Sequence, residues 1–197
     1  MKQEAKAIST TELVEIRWHG RGGQGAVTSA ELLAQAAIGE GKFAQAFPSF
    51  GPERRGAPVV AFNRLSAKEP VRNRAGIVSP DVVIVLDSSL VRVVNVTSGL
   101  KENGLLIINT KRSFEEIKSE LGSRWRLAAI DANKIAMEVL GVPIVNTTMI
   151  GALLKAIGLI SLESLAEPLR HRFGRLGDRN IEAMKRAYGE TIIDGRG

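Results

Sequence analysis

The chain has no cysteine among its 197 residues. Disulfides, thiolate-bound zinc, a cysteine nucleophile and iron–sulfur clusters held by its own thiolates are therefore excluded. Histidine is almost as scarce, and His19 and His171 stand far apart. No histidine-rich metal site is expected, which leaves only carboxylate sites for hard cations to consider. Aromatic residues make up 5% of the chain, too few for a surface that stacks bases. No apolar run approaches the length of a membrane span, and Met1 to Thr11 is polar, without the apolar core of a signal peptide. The expectation is a cytoplasmic protein with neither membrane nor nucleic acid as partner.

What is present fits a folded domain. Hydrophobic residues make up 44% and charged residues 24% of a chain long enough to bury a sizeable core. The net charge of +6 is uneven. Between Pro168 and Tyr188, Arg170, Arg172, Arg175, Arg179, Lys185 and Arg186 face only Asp178 and Glu182. No zinc-finger, RNP or basic-zipper pattern accompanies them, so they read as a solvated helix face or a surface for an acidic protein partner.

Strand and helix signals alternate. Leu13 to His19 reads as a strand and Ala26 to Ile38 as a helix with Ala26, Ala30, Leu33 and Ala37 on one face. Phe43 to Phe47 and Pro58 to Leu65 read as strands. Asp81 to Asp87 and Leu105 to Ile108 are continuous apolar runs suited to strands buried on both faces of a parallel sheet. Ser88 to Val96 is expected as a crossover helix. Ser113-Phe-Glu-Glu116 has capping-box spacing ahead of a short helix, Arg126 to Ile130 is a further strand, and Asp131 caps a helix ended by Gly141. From Asn146 onward the pattern is entirely helical, with Ser161 and Asp178 as candidate caps. This predicts an α/β fold: a three-layer domain with a mostly parallel sheet flanked by helices, and a C-terminal helical extension.

Two loops carry the chemistry. After the first strand comes Gly20-Arg21-Gly22-Gly23-Gln24-Gly25, with four glycines in six residues at the start of a helix. Glycine marks positions that need positive φ or close backbone approach, and the first N–H groups of the helix lack intrahelical partners, so anions favour the place above them. Gly20, Gly22 and Gly25 also match G-x-G-x-x-G, but the acid expected about 20 residues on in a dinucleotide-binding unit is missing, and Glu40 precedes the second strand. A free-standing Rossmann-type nucleotide-binding protein is thus the weaker alternative, and a tight strand-to-helix turn the plainer one. His19 beside the loop reads as a hydrogen-bonded structural histidine. The second loop, Phe47-Pro-Ser-Phe-Gly51-Pro52-Glu53-Arg54-Arg55-Gly56-Ala-Pro58, is stiffened by proline and holds adjacent guanidinium groups, which suit carboxylate or phosphate recognition. As a solvated connection between strands it needs no contact at all.

The glycine loop, the Phe-Gly-Pro-Glu-Arg-Arg-Gly loop about 30 residues later, Ser79-Pro-Asp81 ahead of an apolar strand and Asn146-Thr-Thr-Met-Ile-Gly151, in this order, resemble the gamma subunits of 2-oxoacid:ferredoxin oxidoreductases, most closely the pyruvate type. The resemblance spans roughly Glu12 to Tyr188 and implies one domain over 12–188, with 1–11 and 189–197 as flexible termini. It implies membership of a hetero-oligomer that converts pyruvate, coenzyme A and oxidised ferredoxin into acetyl-CoA, carbon dioxide and reduced ferredoxin. The 2-oxoisovalerate, 2-oxoglutarate and indolepyruvate enzymes share this type of subunit. Thiamine diphosphate with Mg2+ and the iron–sulfur clusters are implied on alpha, beta and delta partners, with none bound by this chain, which also lacks a Gly-Asp-Gly thiamine segment. The role implied here is positioning: no catalytic residue, no metal site, and two loops that either dock against the catalytic subunits or offer N–H and guanidinium groups to a phosphate of coenzyme A. Arg55 stands where the family commonly has a small residue or threonine.

Overall fold

The computed structural model describes residues 13–49, 56–73 and 75–194. Seven strands, β1 (Val14–Arg21), β2 (Phe43–Pro48), β3 (Pro58–Ser66), β4 (Val82–Val85), β5 (Leu105–Asn109), β6 (Arg126–Ile130) and β7 (Ile192–Ile193), form one sheet in the order β2-β3-β1-β4-β5-β6-β7. The centre, β1-β4-β5-β6, is parallel, while β3, β2 and β7 add antiparallel edges. Alternation sets what each face buries. Val82, Ile84, Leu105, Ile107, Ala128 and Ile130 join one core with Ile16 and Trp18. Val83, Val85, Leu106, Ile108, Leu127 and Ala129 join a second core with Leu90, Ile117 and Trp125. A strand that is apolar on both faces reads as a continuous apolar run, hence the pattern in the sequence.

The first core is covered by α1 (Ala26–Gly39), α3 (Ala132–Leu140), α4 (Asn146–Ile157), α5 (Ala166–Phe173) and α6 (Gly177–Glu190); the second by α2 (Phe114–Leu121) and by turns. Ser113 and Glu116 form the reciprocal capping box, and Asp131 accepts from the Lys134 N–H at the start of α3. Trp18 Nε1 donates to Asn63 Oδ1 at 2.8 Å, and Asn63 Nδ2 donates to the Ala30 carbonyl at 2.8 Å, which ties β1 and β3 to α1 across the core. Gly151 lets α4 cross α6 in backbone contact: a Cβ there would lie 2.1 Å from the Met184 carbonyl oxygen.

Three expectations change. Ser88 to Val96 is not a crossover helix but a 3₁₀ turn, Ser88–Arg92, followed by loose turns; Asp87 caps it, and only Leu90 in it is buried, too narrow an apolar stripe for a longer helix. The end of the chain is not entirely helical: Ile192 and Ile193 pair antiparallel with Ala129 and Ala128, so 189–194 completes α6 and the sheet edge rather than trailing off. Asp178 lies inside the first turn of α6 and pairs with Arg170 instead of capping, whereas Ser161 Oγ accepts from the Ser164 N–H ahead of α5. Among the described residues no helix is long and apolar enough to cross a membrane.

Candidate functional site

β1 delivers the chain to the carboxyl end of the parallel strands, where ligands sit in open α/β sheets. Three glycines of the loop have separate physical reasons. Gly20 allows close strand–helix packing, since a Cβ there would sit 3.2 Å from the Ala26 Cβ, while Gly23 and Gly25 take φ of +95° and +82°. Gly25 is the N-cap of α1 and offers no side chain to its first N–H groups.

A second helix begins at the same place. α4 starts at Asn146 after Val145, again without a side-chain cap. Ser29 in the first turn of α1 donates its hydroxyl to the Asn146 carbonyl at 3.3 Å. A Cβ on Gly25 would lie 2.9 Å from Asn146 Nδ2, so the carboxamide is packed directly against the loop. Asn146 is 3% exposed, and its Oδ1 has no hydrogen-bond partner. Two helix N-termini without side-chain caps and the buried Asn146 carboxamide therefore meet at Gly25. The amino end of each helix favours negative charge. Arg172 on α5, one of the basic cluster, brings its guanidinium to 3.5 Å from Thr28 Oγ1 in the first turn of α1. Arg170 and Arg186 of that cluster pair instead with Asp178 and with Glu138 and Glu190.

The same loop also carries a hydrogen-bond network. Arg21 Nε and Gln24 Nε2 both donate to Asp87 Oδ2 at 3.0 Å, and Gln24 Oε1 accepts from the Arg21 N–H at 2.7 Å. Arg21 also reaches the Gly56 carbonyl at 3.0 Å and Ser89 Oγ at 2.8 Å. Burial works against the charge of Asp87, but hydrogen bonds from Ser89, Gln24 and Arg21 outweigh it and hold the carboxyl below its usual range.

The two loops singled out in the sequence do meet. The Gly22 N–H donates to the Ala57 carbonyl at 2.9 Å and the Gly56 N–H to the Gly22 carbonyl at 3.2 Å, extending the β1–β3 ladder past Arg21 and Pro58. Gly51, Pro52, Glu53, Arg54 and Arg55 lie outside the described residues. His19 is structural: buried, it accepts from Arg17 Nε at 3.0 Å, and burial, with the nearby charge of Arg17 second, lowers its pKa to about 4. Asn146 and Asp87 are the residues that sequence reasoning did not single out for the site. Asp87 carried a usable signal, an acid immediately after an apolar strand at its carboxyl end.

Among the described residues no three His, Asp or Glu side chains are grouped to hold a metal ion. The family profile described as pyruvate ferredoxin/flavodoxin oxidoreductase matches residues 15–190. The chain is 52% identical over 92% of its length to the pyruvate/ketoisovalerate oxidoreductases common subunit gamma of Thermococcus kodakarensis, covering 98% of that protein. It is 51% identical over 89% of its length to the pyruvate synthase subunit PorC of Methanothermobacter marburgensis, covering 96% of it. Its fold superposes on the crystal structure of pyruvate oxidoreductase subunit PORC from Thermotoga maritima with a TM-score of 0.83 and 37% identity, covering 93% of this chain and 99% of that one. A likeness of fold alone, TM-score 0.75 at 22% identity, links 91% of the chain to 31% of the 2-oxoglutarate:ferredoxin oxidoreductase from Magnetococcus marinus, solved with 2-oxoglutarate, coenzyme A and succinyl-CoA bound. With its capped α/β sheet and converging helix N-termini, the chain belongs to the pyruvate ferredoxin/flavodoxin oxidoreductase family.

Proposed function

We propose that the chain is the gamma subunit of a cytoplasmic 2-oxoacid:ferredoxin oxidoreductase, with pyruvate as the 2-oxoacid, and that its glycine loop and Asn146 form an anion cradle for a phosphate of coenzyme A. Family membership and relatives at 52% and 51% identity that are named as such subunits support the first part. The observation that carries the second is the buried Asn146 carboxamide, whose donor Nδ2 stands against Gly25 where two helices begin without side-chain caps. Here Nδ2, the N–H groups of two first turns without side-chain caps and the Arg172 guanidinium supply donors and positive charge, which suit a phosphate.

In such a complex, thiamine diphosphate with Mg2+, held by alpha and beta partners, would supply the decarboxylation chemistry, and iron–sulfur clusters on beta and delta would supply the route for electrons to ferredoxin. This chain fits neither group, having no cysteine and no thiamine segment. Its own work is to bind and orient. The outer strand supports subunit docking as a second task. Among the described residues β2 ends the sheet, leaving Phe43 39% exposed and one row of backbone groups without a ladder partner. It leads into the second loop, which is bound to the glycine loop through Gly56. A partner seated on β2 would therefore also press on the cradle.

The test is isolation of the tagged chain from its own host under mild conditions. The proposal expects alpha, beta and delta chains to accompany it, and the preparation to reduce ferredoxin only when pyruvate and coenzyme A are both present, while the separated chain does nothing. Recovery without such partners, or turnover by the separated chain, would contradict it.

A further inference from the structure

The glycine loop is tied to its neighbours through one acid. Asp87 follows β4, and its two oxygens take up four donors: Arg21 Nε and Gln24 Nε2 at 3.0 Å on Oδ2, the Ser89 N–H at 2.9 Å and Ser89 Oγ at 2.6 Å on Oδ1. Through Arg21 it reaches the Gly56 carbonyl, so a single carboxylate joins the glycine loop, the end of the second loop and the turn after β4.

We infer that Asp87 is a positioning residue for coenzyme A binding: it does not touch the anion, but fixes Gln24 and Arg21 so that the backbone at Gly23 and Gly25 is set before the phosphate arrives. The inference rests on the anion reading of the loop given above. Gln24 sits between Gly23 and Gly25, both at positive φ and both without a side chain to restrain the backbone. Its carboxamide is held at both ends, Oε1 by the Arg21 N–H and Nε2 by Asp87. Without the second tie the loop samples more conformations, and ordering it on binding costs affinity. An acid this near an anion site is ordinarily a competitor. Here its charge is taken up by Arg21 in a pair whose side chains are only 28% and 22% exposed, and the carboxyl stays ionised because its donors favour that form. Arg21 is thereby held on the β4 side and does not swing across the loop.

In the assembled oxidoreductase, Asp87→Asn should raise the KM for coenzyme A about tenfold, the cost of ordering a loosened loop on binding. kcat, the KM for pyruvate and subunit composition should stay within twofold. Gln24→Glu sets two carboxylates against each other and should act the same way. The double variant Gln24→Glu with Asp87→Asn restores a carboxylate–amide pair of reversed polarity, and should recover most of the lost affinity. Asn146→Ala is measured alongside. If Asn146→Ala raises the coenzyme A KM and Asp87→Asn leaves it within twofold, the positioning role is overturned and the anion reading stands. If neither moves it, both fall. A rise with Asp87→Asn that comes with a lower melting temperature and no recovery in the double variant would assign Asp87 to folding alone and overturn the inference.

Discussion

Replacing Gly23 and Gly25 one at a time with alanine separates turn-making from the cradle. Both take positive φ, which costs an L-residue about 1–2 kcal/mol and is offset by about 0.4–1 kcal/mol because alanine restricts the unfolded chain. Gly23 has nothing within 4 Å of a new Cβ, so Gly23→Ala should cost about 1 kcal/mol. Gly25→Ala meets Asn146 Nδ2 at 2.9 Å, its Cβ at 3.0 Å and its Cγ at 3.2 Å, none of them the loose end of an exposed side chain. Asn146 must move within a packed first turn, which adds about 1–3 kcal/mol of overpacking. For a chain of this size each kcal/mol is about 2–4 °C of Tm, so thermal unfolding should show a drop of about 3 °C for Gly23→Ala and about two to four times that for Gly25→Ala. Coenzyme A KM of the assembled enzyme should follow the second variant far more than the first. Equal drops in Tm, or a Gly25→Ala protein within about 1 °C of the original, would refute the packing of Asn146 against the loop.

Gly151→Ala should cost about 2–3 kcal/mol by forcing α4 off α6, read from the urea midpoint, because the new Cβ would sit 2.1 Å from the Met184 carbonyl oxygen. His19, held neutral with its pKa near 4, favours the folded state fully above pH 6.5; stability should fall as pH drops from 6.5 to 4, by up to about 3 kcal/mol, and His19→Gln should flatten that slope. Glu40 gives a separate lower window. Burial opposes its charge, but Lys42, Ser164 and Ser161 outweigh this and hold it at about 2, so its contribution is present above about pH 4.5 and lost toward pH 2. The chain purified without partners should self-associate through the β2 edge, and Phe43→Lys should suppress this in sedimentation velocity.

The parallel centre was legible because its strands are buried on both faces, and a four-residue strand such as Val82–Val85 then shows as one apolar run between acids. Local chemistry was legible too: the capping box at Ser113, the Asp131 cap and the glycine loop each operate within a few residues. β7 was not legible, since two isoleucines carry no period and their pairing with β6 depends on where α6 ends. The 3₁₀ turn after Asp87 was misread because Ser88 to Val96 has enough apolar residues for a helix, while its burial is confined to Leu90 and Val96. For the site, the glycines announced an anion-facing turn. The amide that completes it lies 117 residues from its contact with Ser29, a distance over which sequence spacing says nothing. The second loop's place beside the first follows from the β1–β3 ladder, which alternation predicts as two strands but not as neighbours.

The most direct test of the cradle is Asn146→Asp in the assembled oxidoreductase. The substitution keeps the shape of the side chain and places a negative charge where Nδ2 packs against Gly25 and two helices begin. An anion bound there would meet repulsion at close range in a partly buried setting, worth at least about 1.4 kcal/mol, or tenfold in binding. The account predicts a KM for coenzyme A raised tenfold or more, relieved in part by high salt, with kcat, pyruvate KM and subunit composition unchanged. A coenzyme A KM within twofold of the original, in an intact complex, would contradict it.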